Sequence, residues 1–522
     1  MKMFGASRFC NVKILFVTTV VATVVLIGVL LLSFVGMPLI VNDQLAKKLR
    51  LENNTEQWDR FVELPVPLNL NVFVFNVTNS DEVTNNKATP ILQEIGPYCY
   101  EERITRKILS ANSTEDSITY EQSFNITFDE KRSGQWKESD KIVMVNPLFL
   151  ILSQITNVIE RFVVMGCIDK LFPPKYSTMF FEVDIKTIML EGIEFGVASD
   201  DIGPACNIVR NKLLEKTLPM KNVERIPSPT DPSVINSLKF AFLQYKIRGP
   251  DGQYTTNRGI DDITQLGHIM RWDHSAEIDV WGRGESTNNA TCKEVKGSDS
   301  TIYPPHVTKS TKLDIFSTDI CRTVQIRYKG TGTYQGDSGY YFGIDENTFR
   351  PATPSPENDC YCIQQTMAPD GEPSCFLDGV VDVYPCFGAP ILLSFPHFLY
   401  ADESYLDGVI GIDPPNSSIH EIFLLIEPNT GTPLQGMKRI QLNVVLRPVE
   451  FVEYTANLPS TVLPLIWIEE GVNLSQDLLD KLDKMYFNVI KAADAAKYAA
   501  IGVLTAFVLI SGGFFVRKRY FK

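Results

Sequence analysis

Residues 14–37 read ILFVTTVVATVVLIGVLLLSFVGM, and these 24 residues contain no charged side chain. At about 1.5 Å of rise per residue, a helix of this length exceeds the roughly 30 Å hydrocarbon core of a bilayer. A cleavable signal peptide needs an apolar stretch of only ~7–15 residues followed by small residues at a cut site. This run is longer and ends in Gly36, Met37 and Pro38. We therefore predict an uncleaved transmembrane helix at residues 14–37.

A second uncharged stretch, residues 498–516, lies near the C-terminus and is also long enough to cross a bilayer. Two spans place both chain ends on one side of the membrane, and the basic cluster Arg517-Lys518-Arg519 assigns that side to the cytosol. We predict cytosolic tails at residues 1–13 and 517–522 and one large ectodomain at 38–497. The tails contain no clear dileucine or tyrosine sorting signal, which favours the plasma membrane over the lysosomal membrane.

The charge of the chain is divided unevenly. The formal net charge is −13, but residues 1–37 carry +3 and residues 498–522 carry +4, which leaves −20 for the 460 residues between them. An acidic surface repels phosphate backbones, and the sequence has no Lys/Arg cluster with interleaved aromatic residues. We therefore expect no nucleic-acid partner.

N-glycosylation sequons agree with this topology. Seven sequons of the form Asn-x-Ser/Thr, none with Pro in the middle position, lie between the two spans. All seven fall in the segment predicted to face the lumen or the extracellular space, where such asparagines are glycosylated. The predicted acceptors are Asn53, Asn76, Asn112, Asn125, Asn289, Asn416 and Asn473.

Cysteine usage indicates an oxidising compartment. Nine of the ten cysteines lie between the spans, and six of these are clustered: Cys292, Cys321, Cys360, Cys362, Cys375 and Cys386. Their spacing alone does not choose the pairs. A zinc site is the rival interpretation, but there is no Cys-x-x-Cys repeat and no histidine between His306 and His397, so we predict disulfides and no metal. The others are Cys99, Cys167 and Cys206; because their number is odd, at least one has no partner within the chain.

Strand patterns are spread across the whole segment between the spans. Residues 68–77, LNLNVFVFNV, begin as an alternation of apolar and polar side chains and then become apolar on both faces, as in a central strand. Further alternating stretches are 118–128, 142–145, 440–446 and 463–468. Because no Ser/Gly-rich linker interrupts them, we predict one large domain in which strands from both ends of the segment share a sheet.

Helical spacing is found in a few stretches. Asp43 is predicted to cap a helix that leads off the membrane, and residues 473–491 are predicted to form an amphipathic helix that runs into the second span. Residues 148–172 and 179–190 predict a helical lobe inserted among the strands. Two interpretations of the apolar stripe in 148–172 stay open: it packs inward, or part of it is exposed and captures a hydrophobic ligand.

The sequence offers no convincing catalytic arrangement. Gly336-Asp337-Ser338-Gly339 matches the nucleophile tetrapeptide of chymotrypsin-like proteases, but none of the five histidines stands in a matching local context. A glycine-rich turn between strands explains the tetrapeptide better. Phosphate-cradling, dinucleotide-binding and zinc-hydrolase motifs are missing as well. We therefore predict a protein that is not an enzyme and has no cofactor.

Seven short motifs are spread over nearly the whole chain. They are Glu94-Ile95-Gly96-Pro97-Tyr98, Thr256-Asn257-Arg258-Gly259-Ile260, Tyr303-Pro304-Pro305, Asp319-Ile320-Cys321-Arg322, Pro396-His397-Phe398-Leu399-Tyr400, Ile426-Glu427-Pro428-Asn429-Thr430-Gly431 and Lys438-Arg439-Ile440-Gln441. Together they resemble the class B scavenger receptor family, which includes the lysosomal integral membrane proteins. Residues 65–69, 75–79 and 257–263 look most like the insect sensory neuron membrane protein branch of that family.

The resemblance implies a fold. It implies an α+β membrane protein whose ectodomain has an antiparallel β-barrel core, a helical apex at about residues 147–192 and an internal hydrophobic tunnel towards the bilayer. It also implies three disulfides: Cys292 with Cys360, Cys321 with Cys386, and Cys362 with Cys375. Lys175 is the basic residue that aligns with the apical lysines of the family.

The same resemblance implies a receptor that captures fatty acids or lipid pheromones and passes them to the membrane or to a receptor channel, in chemosensation. Exposing an alkyl chain to water costs about 0.8 kcal/mol per CH₂, so a sheltered apolar route would suit such ligands. Carrier proteins and receptor channels are the expected protein partners. The alternative is a protein-binding receptor for adhesion, particle uptake or enzyme escort. The face that captures the ligand is predicted from helical spacing and not from the resemblance. It consists of Leu152, Ile155, Ile159, Phe162 and Val163.

Overall fold

The computed structural model describes residues 3–150, 158–198, 202–281, 292–350 and 355–520. The chain forms two compact units. One runs from Leu51 to Asn473, and the other joins Met1–Arg50 to Leu474–Lys522. The first unit is shorter than the predicted ectodomain because the two terminal helices extend beyond their apolar stretches.

The terminal unit is built from two long helical segments. The first comprises Met3–Leu31, a π-helical turn at Leu32–Gly36 and Met37–Leu49; the second comprises Gln476–Leu482, a π-helical turn at Asp483–Phe487 and Asn488–Tyr520. Both are long and apolar enough to cross a membrane. They run antiparallel, since the Phe16 and Phe515 ring centroids are 5.5 Å apart and the Lys497 ammonium lies 5.3 Å from the Phe34 ring.

The prediction for Asp43 is wrong. Asp43 lies inside Met37–Leu49, where its carboxylate pairs with the Lys47 ammonium one turn later at 2.6 Å. The membrane helix continues past Pro38 because proline is tolerated in the first turn of a helical segment. The next helix, Glu56–Val62, is capped by Thr55, whose hydroxyl accepts a hydrogen bond from the Trp58 amide.

The described residues of the larger unit form eighteen strands. These are β1 Leu68–Val77, β2 Leu92–Asn112, β3 Ser117–Phe128, β4 Lys141–Val145, β5 Phe180–Asp184, β6 Ile193–Phe195, β7 Val223–Pro227, β8 Ile235–Phe240, β9 Gln253–Asn257, β10 Ile269–Trp272, β11 Lys312–Ser317, β12 Arg322–Tyr334, β13 Asp337–Ile344, β14 Val380–Asp382, β15 Leu392–Ser394, β16 Phe423–Glu427, β17 Thr432–Leu446 and β18 Thr461–Asn473.

Thirteen of these strands form one antiparallel sheet. Its order is β10-β9-β3-β2-β1-β18-β17-β16-β13-β12-β11, with β14 and β15 attached to β17. The first and last strands in sequence are neighbours, with Leu70 opposite Glu470, so the two ends of the segment share a sheet as predicted. Strand β1 alternates as predicted, since Leu68, Leu70 and Val72 are buried and the asparagines between them are half-buried.

The two edges of this sheet are joined by a short bridge at Gly297 and Ser298. The Ile269 amide of β10 donates to the Gly297 carbonyl oxygen at 2.7 Å, and the Ser298 amide donates to the Asp314 carbonyl oxygen of β11 at 2.9 Å. The sheet therefore closes almost completely into a barrel, which confirms the predicted antiparallel barrel core.

Helices and two small sheets form a lobe between β3 and β9. Strands β4 and β5 pair with each other, and β8 lies between β6 and β7. The prediction of helix at 179–190 is wrong for its first half, because Phe181 and Val183 are buried in β5 while Glu182 between them is exposed. The second half is a π-helical turn, Thr187–Glu191.

Short helices connect these strands. The α-helices are Ser80–Asn86, Glu130–Ser133, Val158–Met165, Ile168–Leu171, Gly203–Lys216, Gln244–Ile247, Tyr384–Phe387, Ser404–Asp407 and Ser417–His420; the 3₁₀ turns are Pro174–Tyr176, Ile263–Gln265, Glu346–Phe349, Pro356–Tyr361, Pro396–Phe398 and Glu453–Thr455.

Four disulfides join the described cysteines of the larger unit. Three are the pairs that the resemblance implies, Cys292–Cys360, Cys321–Cys386 and Cys362–Cys375. The fourth joins Cys167 to Cys206 and leaves Cys99 as a buried free thiol.

The sequon asparagines differ in accessibility. Asn53, Asn112, Asn125, Asn416 and Asn473 are exposed, whereas Asn76 is half-buried in β1 and its side-chain oxygen accepts the Val143 amide. Asn289 lies outside the described residues.

Candidate functional site

The helix Val158–Met165 presents an apolar surface to solvent. The side chains of Phe162 and Val163 are 61% and 40% exposed, whereas the next residue, Val164, is buried. The helix is followed by Cys167, whose disulfide to Cys206 ties it to the helix Gly203–Lys216. Packing therefore fixes one side of the helix and leaves two large apolar side chains in water.

A third exposed side chain joins this surface from a distant part of the chain. Phe451 follows β17, is 45% exposed, and its ring centroid lies 5.1 Å from that of Phe162. The Arg161 guanidinium donates to the Glu450 carbonyl oxygen at 3.3 Å, which holds the two segments together. We call Phe162, Val163 and Phe451 the lobe patch. Exposed apolar clusters of this kind are typical of binding surfaces.

Aromatic side chains continue inward next to the lobe patch. Tyr454, three residues after Phe451, lies 5.9 Å from Phe149, and Phe149 packs edge-on against Phe172 at 5.0 Å. Phe172 in turn stacks on Phe195 at 5.7 Å. A row of aromatic rings thus leads from Tyr454, three residues after Phe451, into the lobe.

The structure describes only part of the predicted capture face. Leu152 and Ile155 lie outside the described residues, and for Ile159 the structure describes only the helical backbone. Phe162 and Val163 are exposed, as one interpretation of the apolar stripe requires, and ligand capture by them stays a prediction. Lys175 is exposed in the turn Pro174–Tyr176, where its ammonium lies 5.1 Å from the Tyr176 ring.

Phe451 was not among the residues predicted for the capture face. It lies almost 300 residues from Phe162, in a non-helical segment where no periodic pattern marks it. Its φ of 64° is rare for a large side chain and is visible only in three dimensions.

A second group of side chains forms a buried charge network. It consists of Glu102 on β2, Lys246 on the helix Gln244–Ile247, Asp319, Lys438 on β17 and Glu470 on β18. The Lys246 ammonium lies 2.9 Å from Glu102 and 2.7 Å from Glu470, and Lys438 bridges Glu470 at 3.1 Å to Asp319. Because Lys246 directly follows the lobe strands β6–β8, the network ties the lobe to the barrel.

The network contains one more carboxylate than ammonium groups. The second carboxylate oxygen of Glu102 is buried and has no hydrogen-bond partner among the described residues. Burial and the neighbouring Glu470 carboxylate raise the pKa of Glu102 to about 7. Burial opposes ionisation of Asp319 as well, but Lys438 and Lys246 keep the pKa of Asp319 below its ordinary value. Glu102 is therefore the member of the network that takes up a proton most readily.

Two of the motifs meet in a histidine cluster. The His397 imidazole lies 2.9 Å from the Glu94 carboxylate, which also accepts a hydrogen bond from the Trp467 indole at 2.6 Å. Burial alone would lower the pKa of His397, but the hydrogen bond and charge of Glu94 raise it. The His420 ring lies 4.1 Å away, and burial together with the charge of His397 lowers the pKa of His420 to about 4.

The described residues contain no group of three histidine, cysteine or acidic side chains that could hold a metal ion. Ser338 lies in β13, directly after the hairpin turn in which Gly336 adopts a φ of 100°. The tetrapeptide thus comprises the last residue of the turn between β12 and β13 and the first three residues of β13.

Comparison with known proteins decides the family. The profile of the CD36 family matches residues 19–515. The chain belongs to the CD36 family. It is 29% identical to sensory neuron membrane protein 2 of Anopheles gambiae, over 94% of this chain and 91% of that protein. Sensory neuron membrane protein 2 of Manduca sexta is 31% identical over 88% and 86%, and sensory neuron membrane protein 1 of Pediculus humanus subsp. corporis is 29% identical over 89% and 85%.

This CD36-family membership confirms the resemblance seen in the motifs, and the structure explains several of them physically. The buried Glu427 carboxylate accepts hydrogen bonds from the Asn429 and Thr430 amides and so fixes the turn before β17. Gly431, at a φ of 73°, approaches the Pro304 carbonyl so closely that a Cβ would lie 2.4 Å from its oxygen. Glu427 and Gly431 thus have a structural role in the turn before β17, whereas the lobe patch lies outside all seven motifs.

Proposed function

We propose that this CD36-family receptor captures long-chain hydrophobic ligands, such as fatty acids or lipid pheromones, at the lobe patch. It passes them through the interior of the barrel to the membrane or to a neighbouring receptor channel. The observation that carries the proposal is the pairing of exposed Phe162 and Phe451 beside a row of buried aromatic rings. The relatives named sensory neuron membrane proteins support a role in chemosensation.

The physical rationale is transfer without passage through water. Each CH₂ of an alkyl chain costs about 0.8 kcal/mol to expose, so a ligand leaves a soluble carrier only when another apolar surface receives it. Solvent-exposed aromatic side chains offer such a surface, and a continuous apolar interior would carry the ligand onward. The transfer needs no covalent step and follows the gradient of ligand between carrier and bilayer.

We further propose that the receptor resides in the plasma membrane with both termini in the cytosol and its glycosylated domain outside. The antiparallel arrangement of the two terminal helices, the basic residues 517–519 and the five exposed sequon asparagines support this topology.

Ligand delivery by the full-length chain in lipid vesicles tests the proposal. A fluorescent fatty acid is presented on a soluble carrier, and its arrival in the bilayer is followed over time. Placing a charge in the lobe patch with Phe162→Asp or Phe451→Asp removes about 1.5 kcal/mol of apolar contact, so we expect roughly tenfold weaker capture. Ile410→Asp is the matched control, because Ile410 is 53% exposed but lies outside the lobe.

Equal delivery by the wild-type chain, the two patch variants and the control would contradict capture at the lobe patch. The protein-docking alternative makes a different prediction for the same variants. There, a patch variant loses binding of a protein partner while saturable uptake of the fatty acid by the receptor is unchanged.

A further inference from the structure

A buried cation with no countercharge among the described residues stands at the start of β12. Arg322, the last residue of the motif that begins at Asp319, is 6% exposed. Its guanidinium stacks on the Tyr361 ring at 3.6 Å and donates to the Thr348 carbonyl oxygen at 3.4 Å. The guanidinium forms no ion pair with any described residue, and its Nε has no hydrogen-bond partner there.

The described residues do not compensate the cost of burying the Arg322 charge. Buried charges in proteins are normally paired, because removing an ion from water without compensation costs several kcal/mol. The Tyr361 ring offsets only part of this cost. Arg106, another buried arginine of this chain, shows the usual solution: its guanidinium lies 2.7 Å from the Asp299 carboxylate.

A cavity of about 20 Å³ lies beside Arg322. Arg350, Asn358, Gln364, Ser374 and Asp382 also line it. Arg350 adds a second guanidine Nε without a hydrogen-bond partner among the described residues, although Asp378 lies 3.6 Å from it. Two guanidine groups therefore line the cavity among mainly apolar side chains such as Phe349 and Val380, and the volume suffices for one small species, since a water needs roughly 10–15 Å³.

The one carboxylate in the lining is already engaged. The Asp382 oxygens accept hydrogen bonds from the Thr366 amide and hydroxyl, both at 2.8 Å, and from the Tyr384 amide at 3.0 Å. These three hydrogen bonds stabilise the Asp382 carboxylate, which forms no ion pair with Arg322.

We propose that the cavity beside Arg322 binds a single monatomic anion of the size of chloride. The anion supplies the countercharge that the described residues do not provide, and the guanidinium groups of Arg322 and Arg350 donate to it. The site is independent of the lobe patch and of any lipid ligand.

Thermal unfolding of the full-length chain in detergent tests this site. Sodium gluconate is replaced stepwise by sodium chloride or sodium bromide at constant ionic strength. Because a ligand that binds only the folded state stabilises it, we expect a saturable rise of the unfolding midpoint on the order of 2–4 °C with either halide.

The variant Arg322→Gln should lose the halide dependence. Arg106→Gln is the matched control: it also removes a buried guanidinium, but one already paired with Asp299, so its midpoint falls and yet still rises with chloride. The proposal would be overturned if the unfolding midpoint of the wild-type chain did not change with halide concentration. It would also be overturned if Arg322→Gln kept the same dependence on halide.

If Arg322→Gln does not fold, crystals of the wild-type chain grown in bromide decide the matter. An anomalous peak in the cavity beside Arg322 supports the anion site. Full occupancy of that position by water, with no anomalous signal, refutes it.

Discussion

Several buried charged residues of this receptor form ion pairs, and the sequence predicts few of these pairs. Glu102 and Lys246 are 144 positions apart, and only the packing of the helix Gln244–Ile247 against the barrel brings them to 2.9 Å. Hydropathy patterns indicate which face of a strand is buried, but they do not indicate which charges meet there. Phe451 was missed for the same reason, whereas the three clustered disulfides could be inferred from a family resemblance.

Glu102 predicts a stability that depends on pH. Its pKa is about 7 in the folded chain and near 4.5 when the chain is unfolded, so the folded state binds the proton more tightly. The contribution of Glu102 to the free energy of unfolding should therefore be fully present below pH 4.5 and be lost as the pH rises through 7, by on the order of 2–3 kcal/mol. Glu102→Gln, which keeps the shape without the charge, should remove this fall between pH 5 and 8.

The measurement is the unfolding midpoint of the full-length chain and of Glu102→Gln across that pH range. Only the difference between the two curves is assigned to Glu102, because Asp251, whose pKa burial raises to about 6, acts in the same direction in both. Glu101→Gln removes a partly exposed carboxylate from the same strand and should follow the wild-type curve. Parallel curves for the wild type and Glu102→Gln would contradict the prediction.

Elements were predicted well where local pattern and burial agree. Strand β1 has the predicted bounds because its alternation extends over its first half and both faces are covered over its second. The helix prediction for 179–190 failed because Phe180–Asp184 pairs with β4, a non-local contact that imposes a period of two. The order of strands in the sheet depends on non-local pairing and could not be derived from any local pattern.

Closure of the barrel depends on the bridge at Gly297. A Cβ at Gly297, whose φ is 87°, would lie 2.1 Å from the Asp314 carbonyl oxygen, so Gly297→Ala must push β11 away. We expect a loss of about 2–4 kcal/mol of unfolding free energy, from backbone strain and overpacking together. Gly336→Ala is the control, since Gly336 has a φ of 100° but nothing within 4 Å of its Cβ position.

Gly336→Ala should lose only about 1 kcal/mol of unfolding free energy, because it adds backbone strain without overpacking. Unfolding midpoints of the two full-length variants measure the difference. Equal losses would mean that the close approach of Gly297 to β11 does not hold the barrel closed.

The whole molecule was largely foreseeable, because its organisation rests on long uncharged stretches and on compartment-specific chemistry. Two apolar helices at the ends, clustered cysteines and seven sequons indicate a tethered, oxidised domain without any three-dimensional information. The start of the larger unit at Leu51 was not predicted, because the first long helix extends about twelve residues beyond its apolar stretch.

The proposed topology can be checked in intact cells. Epitope tags placed before Met1 and after Lys522 should bind antibody only after the membrane is permeabilised, while glycosidase added outside should reduce the mass of the chain. Asn53→Gln and Asn112→Gln, at two exposed sequons, should each reduce the mass by one glycan. Staining of either terminus without permeabilisation would contradict the assignment of both termini to the cytosol.

The proposed route of a lipid through the barrel can be observed with a heavy-atom lipid. The full-length chain is incubated with a fatty acid brominated along its alkyl chain, and the structure of the complex is determined. We expect bromine density within the barrel, enclosed by the thirteen-stranded sheet. Bromine density confined to the protein surface or the detergent, around a barrel interior filled by side chains, would contradict it.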